Sequence, residues 1–384
     1  MDQKTISANL RRIRESNGLN QTQAASLSNL SRIAYRNIEN GDSTPKISTL
    51  QSIATGFGIQ LQELFAPVKR LEKVRFRALK KMNNRDHIIT EVARWLEDYK
   101  QLEEILDINE SFKFEHLVKQ LAKMKPGTER AIYAANQARM FLDLQETEPI
   151  RDIAGLLEDN GIKVYQISMA TEGFFGLSVG KEEGGPAVVV NVWDRISVER
   201  WIFSAIHELG HLLLHFNDLD LEKIDEDPVE ENEANTFASY FQMPIEAFNR
   251  EWKETAGLDF VDRVLKVKRI FQVSYKTVLY RLSERFGKRV WGQFQSAYRS
   301  RSGKTLSMKE EPEALDSSSF SEVLRAQEPD SLSSSAFIED RLSRLVHEAY
   351  KKDLISKSRA AEILRIDIDS IQKRIDQWFE FEWE

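Results

Sequence analysis

Apolar and polar residues change their spacing several times along the chain, and each change marks a different kind of element. Between about residues 71 and 125, apolar positions recur at helical spacing among mixed charges, which predicts long amphipathic helices. These positions are Ile88, Val92, Trp95, Leu96, Tyr99, Leu102 and Ile105. Pro126-Gly127 interrupts the pattern, and Thr128 begins another helix that we expect to reach about Leu144.

The middle of the chain mixes helical and strand patterns. A helix predicted at 149–160 stops at Asn160-Gly161, and three strand-like stretches follow, "IKVYQI", "GFFGLSVG" and "PAVVVNVW". Helical spacing returns at Ser197 and again in three later segments, 228–242, 258–271 and 274–286. A few strands among many helices predict an α+β domain with a small sheet.

The ends of the chain differ from this middle part. Residues 1–67 have the pattern of short helices with tight turns and end at Pro67, whereas residues 301–335 are rich in Ser, Pro and charge, as in a flexible linker. We therefore predict a mainly α protein with an α+β domain, divided into an all-α bundle at 1–67, a helical connector at 68–125, the α+β domain at 126–300, the linker at 301–335 and a small helical segment at 336–384.

Composition narrows the class of protein and the kinds of site. The chain has 41% hydrophobic and 30% charged residues, and it contains neither a long uncharged apolar run nor the apolar core of a secretory signal. We therefore expect a cytoplasmic protein with no membrane contact. The sequence contains no cysteine, so His, Asp and Glu are the expected metal ligands.

The net charge of −7 conceals an asymmetry along the chain. Residues 1–70 carry nine Lys and Arg against five Asp and Glu, whereas residues 218–233 carry nine acidic residues and one Lys. The N-terminal end is therefore the expected place for a polyanion.

Residues 19–41, "LNQTQAASLSNLSRIAYRNIENG", predict two short helices joined by a tight turn. Asn20 is placed to cap the first helix, with Gln23 completing a capping box, and Ser31 is placed to cap the second. Four residues on the outer side of the second helix can contact base edges in a DNA groove: Arg32, Ile33, Arg36 and Asn37. Gln21, at the start of the first helix, can anchor a phosphate or the adjacent base.

This region resembles the Xre/Cro-type helix-turn-helix family. The resemblance rests on L-x-Q at 19–21, "IENG" at 38–41, Pro45 and the ending "STLQSIATGFGIQLQELF". The chain departs from the family pattern at Asn29, where a turn glycine is usual, and at Ala24, where a larger aliphatic is usual; Asn tolerates a positive φ. The resemblance implies that a homodimer binds a palindromic double-stranded DNA operator.

The segment "IFSAIHELGHLLLH" at 202–215 carries half of the six histidines of the chain. His207 and His211 are four residues apart, so they lie on one helix face and can bind one metal ion, while Glu208 can take a proton from a water that the metal activates. His215 lies eight residues from His207, about 12 Å along the axis, so we expect it to cap the helix or line the pocket.

A catalytic zinc needs a third protein ligand. The stretch "EENEANTFASYFQMP" at 230–244 offers Glu233, next to an apolar helix face, with Glu230 as the alternative. Three residues are candidates for stabilising an oxyanion, Tyr240, Tyr275 and Arg281.

"WIFSAIHELGHLLLH", "NEANTFASYFQMP" and "VSYKTVLYRL", in this order after "PAVVVN", resemble the ImmA/IrrE metallopeptidase family over about residues 126–300. The resemblance implies a gluzincin-like domain with Zn²⁺ bound by His207, His211 and Glu233, and with Glu208 as the base. It also implies cleavage of a helix-turn-helix repressor, and a toxin or antitoxin partner or the chain itself are further candidate substrates. Phe237 stands where thermolysin-like enzymes carry an aspartate.

Two other functions remain open at this point. One is a repressor or antitoxin whose metal site is structural or senses a ligand. The other is a peptidase that uses the N-terminal unit only to locate a repressor on DNA. The C-terminal stretch 354–375 resembles a second small helix-turn-helix, but its acidic residues Asp367, Asp369 and Asp376 favour contact with protein over contact with DNA.

Overall fold

The fold is described from a computed structural model of the 384-residue chain. It describes residues 3–380 except 17–18, 60, 66–70, 72–73, 79–84, 109–111, 145–148, 151, 172, 216–226, 307–309 and 313–331. The chain forms two compact units. The first comprises Met1–Glu72 and Lys80–Tyr99, and the second comprises Lys73–Leu79 and Lys100–Glu384.

The first unit begins with a bundle of short helices around a small apolar core. The helices are α1 (Gln3–Ser16), α2 (Gln21–Leu27), α3 (Arg32–Glu39) and α4 (Ile47–Phe57), followed by a 3-10 turn at Leu61–Leu64. The Asn20 capping box and the Ser31 cap form as predicted. Asn29 adopts a φ of 53°, so the turn before α3 keeps the left-handed conformation that a glycine would give.

A long helix, α5 (Arg85–Ile105), follows and confirms the amphipathic pattern. Ile88, Val92, Trp95, Tyr99 and Leu102 are all buried. Ile105, at the end of the same apolar series, is 43% exposed because the helix ends there.

A four-stranded sheet lies in the second unit. Its strands are β1 (Val74–Ala78), β2 (Lys163–Ile167), β3 (Phe174–Val179) and β4 (Ala187–Asn191). The order across the sheet is β1-β3-β4-β2; β3 is antiparallel to both neighbours, and β2 is parallel to β4. The sequence predicts the last three strands but places β1 inside a helical connector. The sequence of β1, "VRFRA", alternates apolar and polar residues, as a strand does. This short pattern was missed because the residues around it have helical spacing.

Helices cover the sheet and form the main core with it. They are α6 (Glu115–Leu121), α7 (Thr128–Phe141), α8 (Ile153–Glu158), α9 (Val198–Leu214) and α10 (Pro228–Gln242). α9 packs on β3 and β4, while α10 packs on α9 and α7. α7 presents four buried alanines, Ala131, Ala134, Ala135 and Ala138, and small side chains allow helices to approach closely.

Four further helices enclose a separate apolar cluster. They are α11 (Ile245–Glu254), α12 (Phe260–Phe271), α13 (Tyr275–Phe286) and α14 (Arg289–Ser302). Among the described residues no helix has the length and apolarity to cross a membrane.

The C-terminal segment consists of α15 (Arg341–Lys351), α16 (Lys357–Leu364) and α17 (Ile368–Glu380). Phe337, just before α15, is buried in the main core, and its carbonyl accepts a hydrogen bond from Gln166 Nε2 on β2 at 3.0 Å. The segment is thus joined to the sheet by buried contacts. Most of the predicted linker at 301–335 lies outside the described residues.

Candidate metal centre and DNA-binding helix

The predicted metal ligands lie on α9, which is buried along nearly its whole length. Every residue from Trp201 to Leu214 except Phe203 is buried, because the helix lies between the sheet and four other helices. His207, Glu208 and His211 are all 0% exposed. The spacing of four residues brings the two imidazoles together, with their Nε2 atoms 2.9 Å apart.

Glu231, in the first turn of α10, completes this group. Its carboxylate oxygens lie 3.4 Å from His207 Nε2 and 3.1 Å from His211 Nε2. One ligand atom from each of the three side chains lies within 4.8 Å of the other two. Burial raises the pKa of Glu231, but hydrogen bonds and charge interactions with the two histidines outweigh this and hold the pKa well below its usual range.

Glu233, the expected third ligand, lies elsewhere. Two residues along a helix correspond to a rotation of about 200°, so Glu231 and Glu233 cannot face the same point. The Glu233 carboxylate accepts hydrogen bonds from Arg130 Nε at 2.7 Å, Arg130 Nη2 at 2.5 Å and the Gly127 N–H at 2.8 Å. Glu230 is not part of the group either. The apolar neighbours of Glu233 correctly indicated a buried residue, but they did not indicate its partner.

His215 lies between Glu233 and His211 and forms a hydrogen-bond contact with each of them. Its Nε2 lies 3.0 Å from Glu233 Oε2, and its Nδ1 lies 2.9 Å from His211 Nδ1. Burial raises the pKa of Glu233, but hydrogen bonds from His215 and Arg130 outweigh it and lower the pKa to about 2. Glu233 is therefore ionised and acts as an acceptor for the His215 N–H.

These partners determine where the imidazole protons lie. Because Glu233 accepts from His215 Nε2–H, His215 Nδ1 carries a lone pair and accepts from His211 Nδ1–H. His207 Nδ1 lies 3.1 Å from Asn235 Oδ1, which accepts its proton. With both Nδ1 protons held in this way, loss of the Nε2 protons would present two lone pairs to one point, opposite the Glu231 carboxylate. Two nitrogens and one oxygen arranged in this way fit a divalent metal such as zinc.

Glu208 faces β3. Ser178 Oγ donates a hydrogen bond of 2.9 Å to Glu208 Oε2. Gly176 lies beneath the same side chain, because a Cβ added there would be 3.2 Å from both Glu208 Cγ and Oε1. Neither contact could be predicted from the sequence, since both depend on how α9 lies across the sheet.

The three oxyanion candidates do not form one group. Arg281 is buried and stacks on Tyr240, with its Cζ 3.4 Å from the ring centroid. Tyr240 also donates a hydrogen bond of 3.4 Å to Glu284 Oε2. Tyr275 instead lies in the cluster formed by α11 to α14, stacked on Phe294 with centroids 5.3 Å apart.

The predicted DNA-contacting residues lie on the outer face of α3. Arg32 and Arg36 are exposed, Ile33 is 67% exposed, and Asn37 is partly exposed. Gln21 has an intramolecular partner, since its Nε2 donates to Glu39 Oε1 at 3.0 Å. Glu39 is itself held by a bidentate ion pair with Arg14 at 2.7 and 2.9 Å. This buried pair fixes α1 against α3 and leaves the outer face of α3 available.

Two segments of the chain match known protein families. Residues 10–64 match the Helix-turn-helix family model, and residues 157–283 match the Peptidase M78 model, described as the IrrE N-terminal-like domain. The protein is therefore a DNA-binding regulator that carries a protease-family domain. Its second matched segment, which contains all of α9 and α10, is similar to the IrrE N-terminal-like domain, a metallopeptidase-type domain. The resemblances drawn from the sequence motifs are confirmed.

No curated protein matches the sequence significantly. Among solved structures, Bacillus thuringiensis PlcR in complex with the peptide PapR7 and DNA is 15% identical, with 98% of this chain and 94% of that chain covered and a TM-score of 0.17. The apo form of ComR from S. thermophilus is 12% identical, with 78% and 94% covered and a TM-score of 0.16. TM-scores this low support no conclusion about fold or function.

Proposed function

We propose that the protein is a DNA-binding transcriptional regulator whose IrrE-like domain is a zinc-dependent endopeptidase. The observation that carries the proposal is the convergence of His207 Nε2, His211 Nε2 and the Glu231 carboxylate, with Glu208 one position from the first histidine. We assign His207, His211 and Glu231 as metal ligands. Nitrogen and carboxylate donors suit zinc, and three protein ligands leave a fourth position open.

Zinc at this point would supply Lewis acidity, which favours loss of a proton from water and polarises a peptide carbonyl. Glu208 is the general base. Its carboxylate takes the proton from the attacking water and then gives it to the departing amine nitrogen as the peptide C–N bond breaks. Ser178 orients this carboxylate through its hydrogen bond to Oε2. Burial of the site strengthens each of these interactions, because the local dielectric constant is low.

DNA binding is assigned to α3. Arg32, Arg36 and Asn37 present guanidinium and amide groups that suit guanine and adenine edges in the major groove, and Ile33 suits the thymine methyl group. Gln21, the first residue of α2, is held by its hydrogen bond to Glu39 at the end of α3, and we assign it to a backbone phosphate or an adjacent base. A homodimer would place two such helices about 34 Å apart on a palindromic operator.

The substrate class follows from the fusion of the two domains. A regulator that carries its own peptidase can remove a helix-turn-helix repressor, a toxin or antitoxin partner, or a segment of itself. Metal analysis and cleavage assays test the assignment together. We expect stoichiometric zinc in the wild type and in Glu208→Gln, no zinc in His211→Ala, and cleavage of unfolded casein by the wild type alone. Absence of bound metal from the wild type overturns the proposal.

Complete burial of His207, Glu208 and His211 favours a second candidate function, because none of the three side chains is exposed to a protein substrate. In this alternative the protein is a repressor or antitoxin whose metal site is structural or senses a ligand. Glu208→Gln separates the two functions. It abolishes every phenotype that depends on cleavage, whereas a structural site leaves the regulatory phenotype of this variant unchanged.

A further inference from the structure

The strand that contacts the proposed base is paired on both sides. β3 carries Gly176 and Ser178, which both contact Glu208, and it pairs with β4 on one side and β1 on the other. β1 is one of the two edge strands of the sheet, so without it β3 would be an edge strand with unpaired N–H and C=O groups. Such an edge can bind an extended peptide by adding it to the sheet as a further strand.

The register brings the backbone of β1 alongside the proposed base. Arg77 is the partner of Gly176, and Arg75 is the partner of Ser178. The backbone of these two β1 residues therefore lies beside the two β3 residues that contact Glu208. The register shifts between Arg77 and Ala78. The pairing of β1 with β3 is therefore irregular next to Gly176, which lies beside Glu208.

β1 also has an unusual origin in the chain. Lys73–Leu79 belongs to the second unit, whereas the chain before it, to Glu72, and the chain after it, Lys80–Tyr99, belong to the first. One of the two edge strands of the sheet therefore comes from a segment that interrupts the first unit in sequence. The three other strands follow one another within residues 163–191, in one continuous part of the second unit.

We infer that the edge of β3 facing β1 is the peptide-binding edge of the domain, and that Val74–Ala78 occupies it in cis as an internal extended peptide. This inference rests on the proposed peptidase function, because the edge is proposed to bind the substrate of that peptidase. Its test measures peptide binding and does not require cleavage. A peptide in trans can pair with β3 only after Val74–Ala78 leaves. The connector thus inhibits the site and gives the DNA-binding unit a means of controlling it. The occupant defines the ligand class: an extended segment that alternates apolar and basic residues and has no proline.

The test measures peptide binding to the full-length protein with Glu208→Gln present throughout, so that no cleavage occurs. One protein keeps Val74–Ala78, and the other has Gly-Ser-Gly-Ser-Gly in its place at unchanged length. The probe is a fluorescent peptide with the sequence of Lys73–Leu79, KVRFRAL, and its control is KVRPRAL, whose proline lacks the central N–H. If β1 occupies the edge in about 90% of molecules, KVRFRAL binds the replaced protein about tenfold more tightly than the unreplaced one.

Hydrogen exchange in Phe174–Val179 provides the second readout. Amides of β3 that face β1 are expected to exchange faster in the replaced protein and to regain protection with KVRFRAL. Amides that face β4 serve as the internal reference. The inference is overturned if the two proteins bind KVRFRAL with equal affinity, or if the replaced protein binds KVRPRAL as tightly as KVRFRAL. Loss of protection on the β4 side also overturns it, because β1 would then be an integral strand of the fold.

Phe76→Pro repeats the comparison with a single substitution, in case the five-residue replacement impairs folding. Neither readout needs metal or catalysis. Failure to find zinc therefore removes only the proposed function, whereas unchanged peptide binding removes only the inference about β1. With Glu208 intact, the replaced protein is expected to cleave casein about tenfold faster than the wild type, in line with its more accessible edge.

Discussion

His211 Nδ1 lies 2.9 Å from His215 Nδ1. His215 is too far along the helix to share a metal with His207, and the structure gives it a different role. It accepts a hydrogen bond from His211 Nδ1 and donates one to Glu233, so that the Nε2 of His211 faces the candidate metal site, where its lone pair would bind the ion. Arg130 holds Glu233 in place from the other side.

Replacing His215 by Ala is expected to weaken metal binding without removing a ligand. His211 Nδ1 then has no buried acceptor in this direction, and the tautomer with the lone pair on Nε2 is no longer favoured. We expect zinc affinity to fall by about 10- to 100-fold, which is the usual effect of losing an outer hydrogen-bond partner. Competition with a chelator measures it, and Glu208→Gln, which removes no such partner, serves as the control. Equal zinc affinity in His215→Ala and wild type contradicts this role.

Gly176→Ala is expected to reduce cleavage but not metal content. The added Cβ would lie 2.9 Å from the Val189 carbonyl oxygen and 3.2 Å from the Glu208 carboxylate, so either the strand or Glu208 must shift. A shift of about 1 Å in a catalytic group lowers the rate by about 100-fold. Steady-state kinetics on casein and zinc analysis check both parts. Gly292→Ala is the matched control, since a Cβ there meets nothing within 4 Å. A normal rate in Gly176→Ala would show that this glycine does not position Glu208.

Arg32→Ala and Arg36→Ala are each expected to weaken DNA binding while leaving zinc content unchanged. A bidentate contact between Arg and guanine contributes about 1–3 kcal/mol, so affinity for a selected operator should fall by about 10- to 100-fold. Electrophoretic mobility shifts with an operator selected in vitro measure the change. Arg299→Ala removes an equally exposed Arg from α14 and is the control for a general charge effect. A similar loss in Arg299→Ala would mean that α3 does not contact bases.

Stability is expected to depend on pH through Glu158, at the junction with the C-terminal helices. Its Oε2 accepts the N–H groups of Asp340 and Arg341 at 3.2 and 3.1 Å, and burial raises its pKa from 4.5 to about 8. A carboxyl group whose pKa is raised by folding stabilises the fold below its unfolded pKa, and this contribution is lost as pH rises toward about 8. The slope is at most about 1.4 kcal/mol per pH unit.

Glu158→Gln removes this titration and keeps an oxygen to accept both N–H groups. We therefore expect the variant to gain stability relative to wild type between pH 5 and pH 8. Thermal unfolding of the two proteins at both pH values measures the difference. A constant difference in Tm across this range would show that Glu158 does not titrate there.

The N-terminal bundle was largely predictable because its signals are local. A cap acts on the next three residues, and the Asn20 and Ser31 caps form where the sequence places them. The buried face of α5 follows from the spacing of its apolar residues in the same way. β1 was missed because five residues of alternating polarity carry too little signal inside a helical pattern, and because their partner lies about a hundred residues away.

The sequence by itself determined that His207 and His211 lie side by side, since two residues four apart on a helix share a face whatever surrounds them. It also determined that a carboxylate from the acidic stretch would approach them. Only the tertiary structure decided that this carboxylate is Glu231 and that Glu233 is bound to Arg130 and His215. The choice depends on the rotation of α10 about its axis, and that rotation is fixed by packing against α9 and α7, which no local pattern specifies.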